Sequence, residues 1–283
     1  DLSEIAKHGL STVTASRRHL ELLEAAAKAE DAAIRVHLKI DTGMGRIGCR
    51  PEDAVELAGY AARLPHVRLE GICTHFPMAD DRNSDFTAGQ IALFDRCISD
   101  IRKAGFDPGI IHAANSAGFI GYPGAWYDMI RVGIAAYGYP QGSGKESVSG
   151  FKPVMEVRSK LVFMKKVPAG TPLSYGHTYS TRNSTMIGTV AAGYGDGYPR
   201  ILSNRSEVLI RGKRYPVIGT ICMDQFLVDL GTDSDAELYD EVILFGPGRG
   251  VPDAAELADF AGTISYEITC GISGRLRREF SRD

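Results

Sequence analysis

Residues 34–41 read IRVHLKID, and residues 51–64 read PEDAVELAGYAARL. The first stretch has the alternation of a strand, with His37, Lys39 and Asp41 on one face and Val36, Leu38 and Ile40 on the other. The second opens on Pro51, a residue suited to the first turn of a helix, and continues with apolar residues at helical spacing. A strand followed by a helix is half of a parallel crossover unit, and the fold depends on whether the unit repeats.

It does repeat. LSTVTAS (residues 10–16) precedes the amphipathic RRHLELLEAAAKAE; VRLEGICTHF (67–76) precedes a helical stretch over 90–104; GIIHAANS (109–116) and MIRVGIAAYG (129–138) follow. This alternation predicts five strands of a parallel sheet with helical crossovers, either open or closed. Read as part of an eight-stranded barrel, it leaves three units unaccounted for, about ninety residues at roughly 30 per unit. The chain opens without methionine on DLSEIAKHG, with Leu2, Ile5 and Ala6 at helical spacing and Gly9 as a C-cap. That start inside an element favours the barrel, with its first ~90 residues absent through processing, cleavage or incompleteness.

After Tyr139 the pattern changes. PQGSGKESVSG (140–150) is a polar, glycine-rich link, and VMEVRSKLVFMKKV, STMIGTVAAG, EVLIRG and EVILFG then read as short strands separated by turns, with one late helix near 254–261. The expected organisation is an α/β barrel part over residues 1–145 and a mainly antiparallel β domain over 146–283.

Composition narrows the class. A chain of 283 residues that is 44% hydrophobic can bury a substantial core. Lys and Arg number 32 against 35 Asp and Glu, which gives no reason to expect nucleic acid or an acidic membrane as partner; a small molecule is the better expectation. The five cysteines, Cys49, Cys73, Cys97, Cys222 and Cys270, are scattered and never form CxxC, so they indicate neither a disulfide framework nor a metal site, and a reducing, cytoplasmic setting fits. No apolar run approaches the ~20 residues of a membrane span, and the N-terminus lacks the order of a signal peptide.

In a barrel, functional side chains gather at the C-terminal ends of strands, which selects Lys39 and Asp41, His75, Asn115 and Ser116, and Arg131. A structural salt-bridge layer would explain the polar face of IRVHLKID as well as a site would. The following DTGMGRIG shifts the balance, because its glycines permit close approach of backbone to ligand and Arg46 can clamp a carboxylate. His75 could be an ordinary satisfied histidine or could stack on or protonate a ligand. Asn115 and Ser116 could cap the next short helix or bind phosphate with the same geometry. Arg131, inside an apolar stretch, needs acceptors, and Gly133 frees backbone N–H groups for an anion; a phosphorylated cofactor would satisfy both. SYGHTY (174–179) and GYGDGYPR (193–200) could be turn chemistry alone, although a phenol in a positive field can act as a base. GTICMDQFLVDL adds Met223 and Asp224, and TISYEITCGISGR adds Tyr266.

Taken in order, HLKIDTGMGRIG, THF, HAANSA, RVGIAAYG, SYGHTY, GYGDGYPR, GTICMDQ and SYEITCGIS resemble the alanine racemases, enzymes that use pyridoxal 5'-phosphate and combine an eight-stranded α/β barrel with a C-terminal β domain. The resemblance spans essentially the whole chain. It implies Tyr175 as a catalytic base supplied across a homodimer interface, with Met223 lent across the same interface. It implies Arg131 as the hydrogen-bond partner of the cofactor's pyridine nitrogen, which would stay unprotonated, and His75 beside the ring, connecting to the tyrosine. Ser116, the backbone of Gly133 and Ile134, and Tyr266 resemble the phosphate-binding set. Arg46 matches the arginine at the substrate carboxylate, Lys39 a position that is carbamylated in some members, and Tyr194 a tyrosine of the substrate's access route.

One departure carries weight. The family's Schiff-base lysine lies in a VKANAYGHG-like segment on the first barrel strand, and no such segment occurs in this sequence; Lys39 is not its equivalent. Racemisation needs bases on both faces of the α-carbon, so the expectation is a racemase whose lysine lies outside this chain, carried by a companion N-terminal fragment or never joined to it, and a chain that alone does not racemise. GRLRREF also lacks a proline usual between the basic residues, with no catalytic consequence expected. The rival readings are another pyridoxal-phosphate enzyme of the same fold type (a broad-specificity or serine racemase, or an amino-acid decarboxylase), and a non-catalytic pyridoxal-phosphate-binding protein. The bulk of Tyr266 and Met223 favours a small substrate side chain.

Overall fold

The structure, a computed structural model, describes residues 2–140 and 150–281. Most of the glycine-rich link, and with it the expected boundary at 145/146, lies outside the described residues. The described chain divides into two compact units, one holding residues 2–136 and 140, the other 137–139 and 150–281.

The first unit is built on a parallel sheet of four strands, β1 (Ser11–Thr14), β2 (Ile34–Lys39), β3 (Val67–Cys73) and β4 (Ile110–His112), in sequence order. Its helices are α1 (Leu2–Lys7), α2 (Arg17–Ala29), α3 (Ala54–Ala61), α4 (Phe86–Lys103) and α5 (Ser116–Gly121). The alternation of IRVHLKID sets the layering: Val36, Leu38 and Ile40 are at most 1% exposed, in one cluster with Leu20 and Leu23 of α2, Leu57 of α3 and Phe94 and Ile98 of α4. Full burial of each such side chain is worth about 1.5–3 kcal/mol. Ser16 caps α2 by accepting the His19 N–H at 3.2 Å. His37 and Lys39, on the opposite face, stay half-buried.

The expected fifth strand does not form. The segment from Asp128 runs beside β4, with Asp128 N–H donating to the Ile111 carbonyl (3.0 Å) and Arg131 N–H to that of Ala114 (2.9 Å). The Asp128 carboxylate, however, takes the Ile111 N–H at 2.8 Å and so replaces the backbone partner a ladder needs. After Gly133 the chain turns into a 3-10 helix over Ile134–Tyr137. The sheet therefore has four strands rather than five, and RVGIAAY is apolar because Ile134 and Ala135 are buried in a turn.

The second unit contains a closed antiparallel barrel. After β5 (Val157–Val167) come the short hairpin strands β6 (Pro172–Leu173) and β7 (Tyr179–Ser180), then β8 (Thr185–Val190), β9 (Glu207–Ile210), β10 (Lys213–Ile218), β11 (Phe226–Gly231) and β12 (Glu241–Phe245). The barrel closes in the order β10-β11-β8-β5-β12-β9, the eleven-residue β5 pairing with both β8 and β12. Inside, the Tyr198 and Phe226 rings stack at 5.1 Å, and the Tyr198 hydroxyl donates to Ser206 at 3.0 Å. The expected late helix is α6 (Ala254–Ala261), capped by Asp253 and stopped by Gly262 at φ +70°. A further helix, α7 (Ser265–Gly271), forms from SYEITCG, whose mixed composition hid its periodicity. Among the described residues no helix is long and apolar enough to cross a membrane.

Candidate active site

Lys39 ends β2, and the loop after it is closed on itself: Cys49 N–H donates to the Lys39 carbonyl at 2.9 Å and Asp41 N–H to that of Cys49 at 2.8 Å. Inside the loop, the Asp41 carboxylate accepts the N–H groups of Gly43 and Gly45, each at 2.9 Å. Partial burial acts to raise the Asp41 pKa, but donation from Gly43, Gly45 and Met44 outweighs it and holds the group below the usual carboxylate value. Asp41 is thus a loop-former, and the loop presents Arg46 as an exposed cation.

Arg131 is the centre of the first unit's polar cluster. Its Nη2 donates to the carbonyls of Thr74 (2.8 Å) and Ala113 (3.0 Å) and lies 3.3 Å from His75 Nδ1, while Nη1 meets His112 Nδ1 at 2.5 Å. Among the described residues no carboxylate lies within ion-pair distance of it. A half-buried guanidinium held by neutral acceptors leaves positive charge uncompensated. Its neighbours register that field. Burial, then the charges of Lys39, Arg131 and Arg46, push the His75 pKa down to about 4, so the ring is neutral near pH 7. Burial likewise pulls the Lys39 ammonium below the ordinary lysine value, and Arg131 and Arg46 add to the effect.

Asn115 caps α5, its side chain accepting the Gly118 N–H and donating to the Phe76 carbonyl, both at 2.9 Å. Ser116 is 1% exposed, and its Oγ accepts two N–H groups, from Gly133 at 2.9 Å and Ala135 at 3.2 Å, with Ile134 between them. Those donors fill both lone pairs of the hydroxyl, so its O–H can only donate. An obligate donor beside the exposed Gly133, together with the cations at Arg131, Lys39 and Arg46, suits an anionic, phosphate-bearing group.

In the second unit, three motifs are knit by backbone contacts. The Ser174 hydroxyl donates to the Thr220 carbonyl (2.7 Å) and the Thr220 hydroxyl to the Tyr175 carbonyl (2.8 Å). Tyr194 N–H donates to the Cys222 carbonyl (3.0 Å) and Gly195 N–H to that of Met223 (2.8 Å). Gly193 is required there, because a Cβ would lie 2.3 Å from the Cys222 carbonyl oxygen. The glycines of GYGDGYPR thus serve packing, while each of the three motifs leaves one large side chain exposed: Tyr175 is 74% exposed, Met223 56% and Tyr194 44%. Ser174 adopts φ +62°, a strained conformation for a residue with a Cβ, and so fixes the turn that lifts Tyr175. A cleft of about 410 Å³ beside it is lined by Tyr175, Thr189, Cys222, Gln225 and Phe226. Tyr266 lies on the first turn of α7, half-buried.

The structure therefore brings Lys39, His75 and Arg131 together around one point, ties Ser116 to Gly133 and Ala135, and gathers Tyr175, Tyr194 and Met223. His112 was not singled out from the sequence, although it opens HAANSA. Its position at the end of β4 was the available signal: burial and Arg131 push its pKa down to about 3.

Residues 1–141 match the family described as "Alanine racemase, N-terminal domain" and residues 154–280 "Alanine racemase, C-terminal domain". The alanine racemase of Treponema pallidum subsp. pallidum is 42% identical, the match covering 100% of this chain and 78% of the relative; that of Treponema denticola is 40% identical over 99% and 76%. Among solved structures, the alanine racemase of Streptomyces coelicolor A3(2) superposes with a TM-score of 0.92 at 39% identity, covering 97% of this chain and 73% of that one. The alanine racemase of Bartonella henselae, solved with covalently bound pyridoxal phosphate, superposes with a TM-score of 0.85 at 25% identity, over 98% and 74%. With its N-terminal barrel domain and C-terminal β domain, the chain belongs to the alanine racemase family.

Proposed function

We propose that this protein interconverts L-alanine and D-alanine with pyridoxal 5'-phosphate as cofactor. The observation that carries the reading is the half-buried Arg131, held by backbone carbonyls and neutral imidazoles with no acid partner among the described residues, two residues before Gly133, whose N–H donates to Ser116 Oγ and leaves the Ser116 O–H as a donor. When bound, pyridoxal phosphate withdraws electrons from the substrate's α-carbon and so makes its C–H acidic. The protein's residues do the rest. The Ser116 O–H and the Ile134 N–H, with the backbone of Gly133 closing the turn against Ser116 Oγ and with Tyr266, would hold the phosphate. Arg131, a permanent donor, would offer an N–H to the ring nitrogen without giving up a proton, which would temper electron withdrawal and suppress side reactions. Neutral His75 would stand beside the ring and connect to the tyrosine base.

Tyr175 removes or returns the α-proton at its phenolic oxygen, on one face of the α-carbon. The lysine that serves the other face and anchors the cofactor is supplied by polypeptide outside these 283 residues, joined to this chain or separate from it, together with strands that complete an eight-stranded barrel around the four described here. Its motif is absent from this sequence. Arg46 pairs with the substrate carboxylate. Lys39, with its lowered pKa, holds more of the neutral amine, which attacks carbon dioxide and releases a proton to form the carbamate that steadies Arg46. Tyr194 and Met223 line the access route and leave room for a methyl side chain. Asn115 contributes by capping α5.

Tyr175 and Met223 project from the second unit as exposed apolar surface, which supports a homodimer in which each supplies the partner's site. We assign the barrel part to residues 1–145 and the β domain to 146–283, and place the protein in the cytoplasm. The test is to load the full-length protein with pyridoxal phosphate and follow the optical signal of L-alanine. Decay to zero ellipticity, as the equal free energies of the two enantiomers require, supports racemisation; release of carbon dioxide, or no decay with cofactor bound, contradicts it.

A further inference from the structure

Behind Arg131, on the side away from its carbonyl partners, runs a chain of hydrogen bonds that the reaction as described does not use. Arg131 Nη1 meets His112 Nδ1 at 2.5 Å, His112 Nε2 meets His37 Nδ1 at 2.9 Å, and His37 Nε2 meets Glu70 Oε2 at 3.1 Å. The Ser11 hydroxyl donates to the same Glu70 oxygen at 2.5 Å, and Arg35 lies 3.5 Å from the other. Ser11, His37, Glu70 and His112 stand on β1, β2, β3 and β4, so the relay draws on every strand of the sheet.

Its direction is determined at both ends. A guanidinium can only donate, so His112 must present a bare Nδ1 and carry its proton on Nε2; that proton goes to a bare Nδ1 of His37, whose Nε2–H then meets Glu70. At the far end an ionised carboxylate can only accept, which demands the same arrangement. Both imidazoles are therefore neutral, both protonated on Nε2, and the relay links Arg131 to the Glu70 carboxylate two rings away.

The backbone is shaped around this chain. The β2–β3 register shifts between Val36 and His37, which sets His37 opposite Gly71. A Cβ on residue 71 would lie 2.4 Å from His37 Nδ1, so only glycine leaves room for the ring. The two imidazoles meet edge-on at 4.9 Å between centroids. A bulge and a bare backbone coincide where the relay passes through the sheet.

We propose that Glu70, acting through His37 and His112, is a positioning residue for Arg131: it locks the hydrogen-bond direction along the relay and so holds the guanidinium in one orientation. The relay stands on geometry alone; its effect on catalysis rests on the reading of Arg131 as the cofactor's ring-nitrogen partner.

The test uses full-length protein labelled with 15N-histidine, with ring nitrogens read by two-bond 1H–15N correlation at pH 7. The expected wild-type result is neutral, Nε2–H rings at both His37 and His112; a ring protonated on Nδ1, or doubly protonated, overturns the relay without reference to activity. In Glu70→Ala, the ring N–H of His37 should exchange faster with water, and the change should propagate to His112. With cofactor bound, kcat should fall by about tenfold, the low end of what removing an outer partner of a site histidine costs in metal enzymes. Changes confined to His37, with kcat intact, would overturn the proposal and leave Glu70 a local partner of His37, Ser11 and Arg35. Should Glu70→Ala fold poorly, Glu70→Gln removes the charge while keeping an acceptor and should give a smaller response of the same kind; no change at either ring would overturn the proposal. If the protein binds no cofactor at all, the functional reading fails while the tautomer result stands.

Discussion

Replacing Ser116 with alanine separates the structural and cofactor-binding duties of one hydroxyl. Its Oγ accepts from Gly133 and Ala135, and the two donors differ in surroundings: Gly133 is exposed and can turn to water, whereas Ala135 is 4% exposed and cannot. One buried donor stranded without an acceptor costs about 1–3 kcal/mol. At roughly 2–4 °C per kcal/mol for a protein of this size, the unfolding midpoint should fall by about 2–12 °C. The hydroxyl's O–H, an obligate donor, is the part assigned to phosphate, and a hydrogen bond to a charged group is worth about 1.5–3 kcal/mol, or roughly tenfold to a hundredfold in affinity. Thermal unfolding of the apoprotein and fluorescence titration with pyridoxal phosphate read the two effects independently. A lowered midpoint with unchanged affinity would refute the phosphate role and leave Ser116 as a turn former; an unchanged midpoint would refute the buried-donor reasoning itself.

Three further outcomes follow from the same geometry. His75 and His112 carry folded pKa values of about 4 and about 3, below the ordinary histidine value of 6.5, so the unfolded chain binds more protons in between. Stability should therefore be fully present above pH 6.5 and be lost progressively as pH falls through about 4 to about 3, which urea unfolding across that range measures; a flat profile would contradict their burial as neutral rings. Arg214 ties β10 to α6 by donating bidentately to Glu256 (2.5 and 2.8 Å) and to the Gly250 carbonyl (2.8 Å); Arg214→Ala should cost about 1–3 kcal/mol in chemical denaturation, and Arg214→Lys should restore little of it because the fork geometry is lost. Gly71→Ala places a Cβ 2.4 Å from both the Ile110 carbonyl oxygen and His37 Nδ1. It should destabilise by more than about 3 kcal/mol, and soluble variant with wild-type unfolding would show the strands to be looser than described.

Much of this was legible in the amino-acid order because period and chemistry coincide. The alternation of IRVHLKID placed Val36, Leu38 and Ile40 in the core and Lys39 in the polar cluster, as found. Alternation could not reveal that Asp128 would take the Ile111 N–H, and MIRVGIAAYG therefore read as a strand although it forms a turn. Asp41 lay on the correct face, but its duty is to fold the loop that carries Arg46, which only the N–H contacts disclose. The His112–His37–Glu70 chain joins three strands at separations of 75 and 33 residues, and no local pattern reports contacts of that range. Tyr175 stood out in SYG, but the tie between Thr220 and its carbonyl is a tertiary event.

The central claim is that Tyr175 moves a proton on one face of the α-carbon of alanine. The most direct measurement is exchange of that proton for deuterium, followed by NMR in D2O, in full-length Tyr175→Ala loaded with pyridoxal phosphate, against wild type. The expected result is that the variant retains the cofactor's visible absorbance but no longer exchanges the α-proton of L-alanine, which wild type exchanges while racemising it. Undiminished exchange and racemisation of L-alanine by Tyr175→Ala would contradict the assignment.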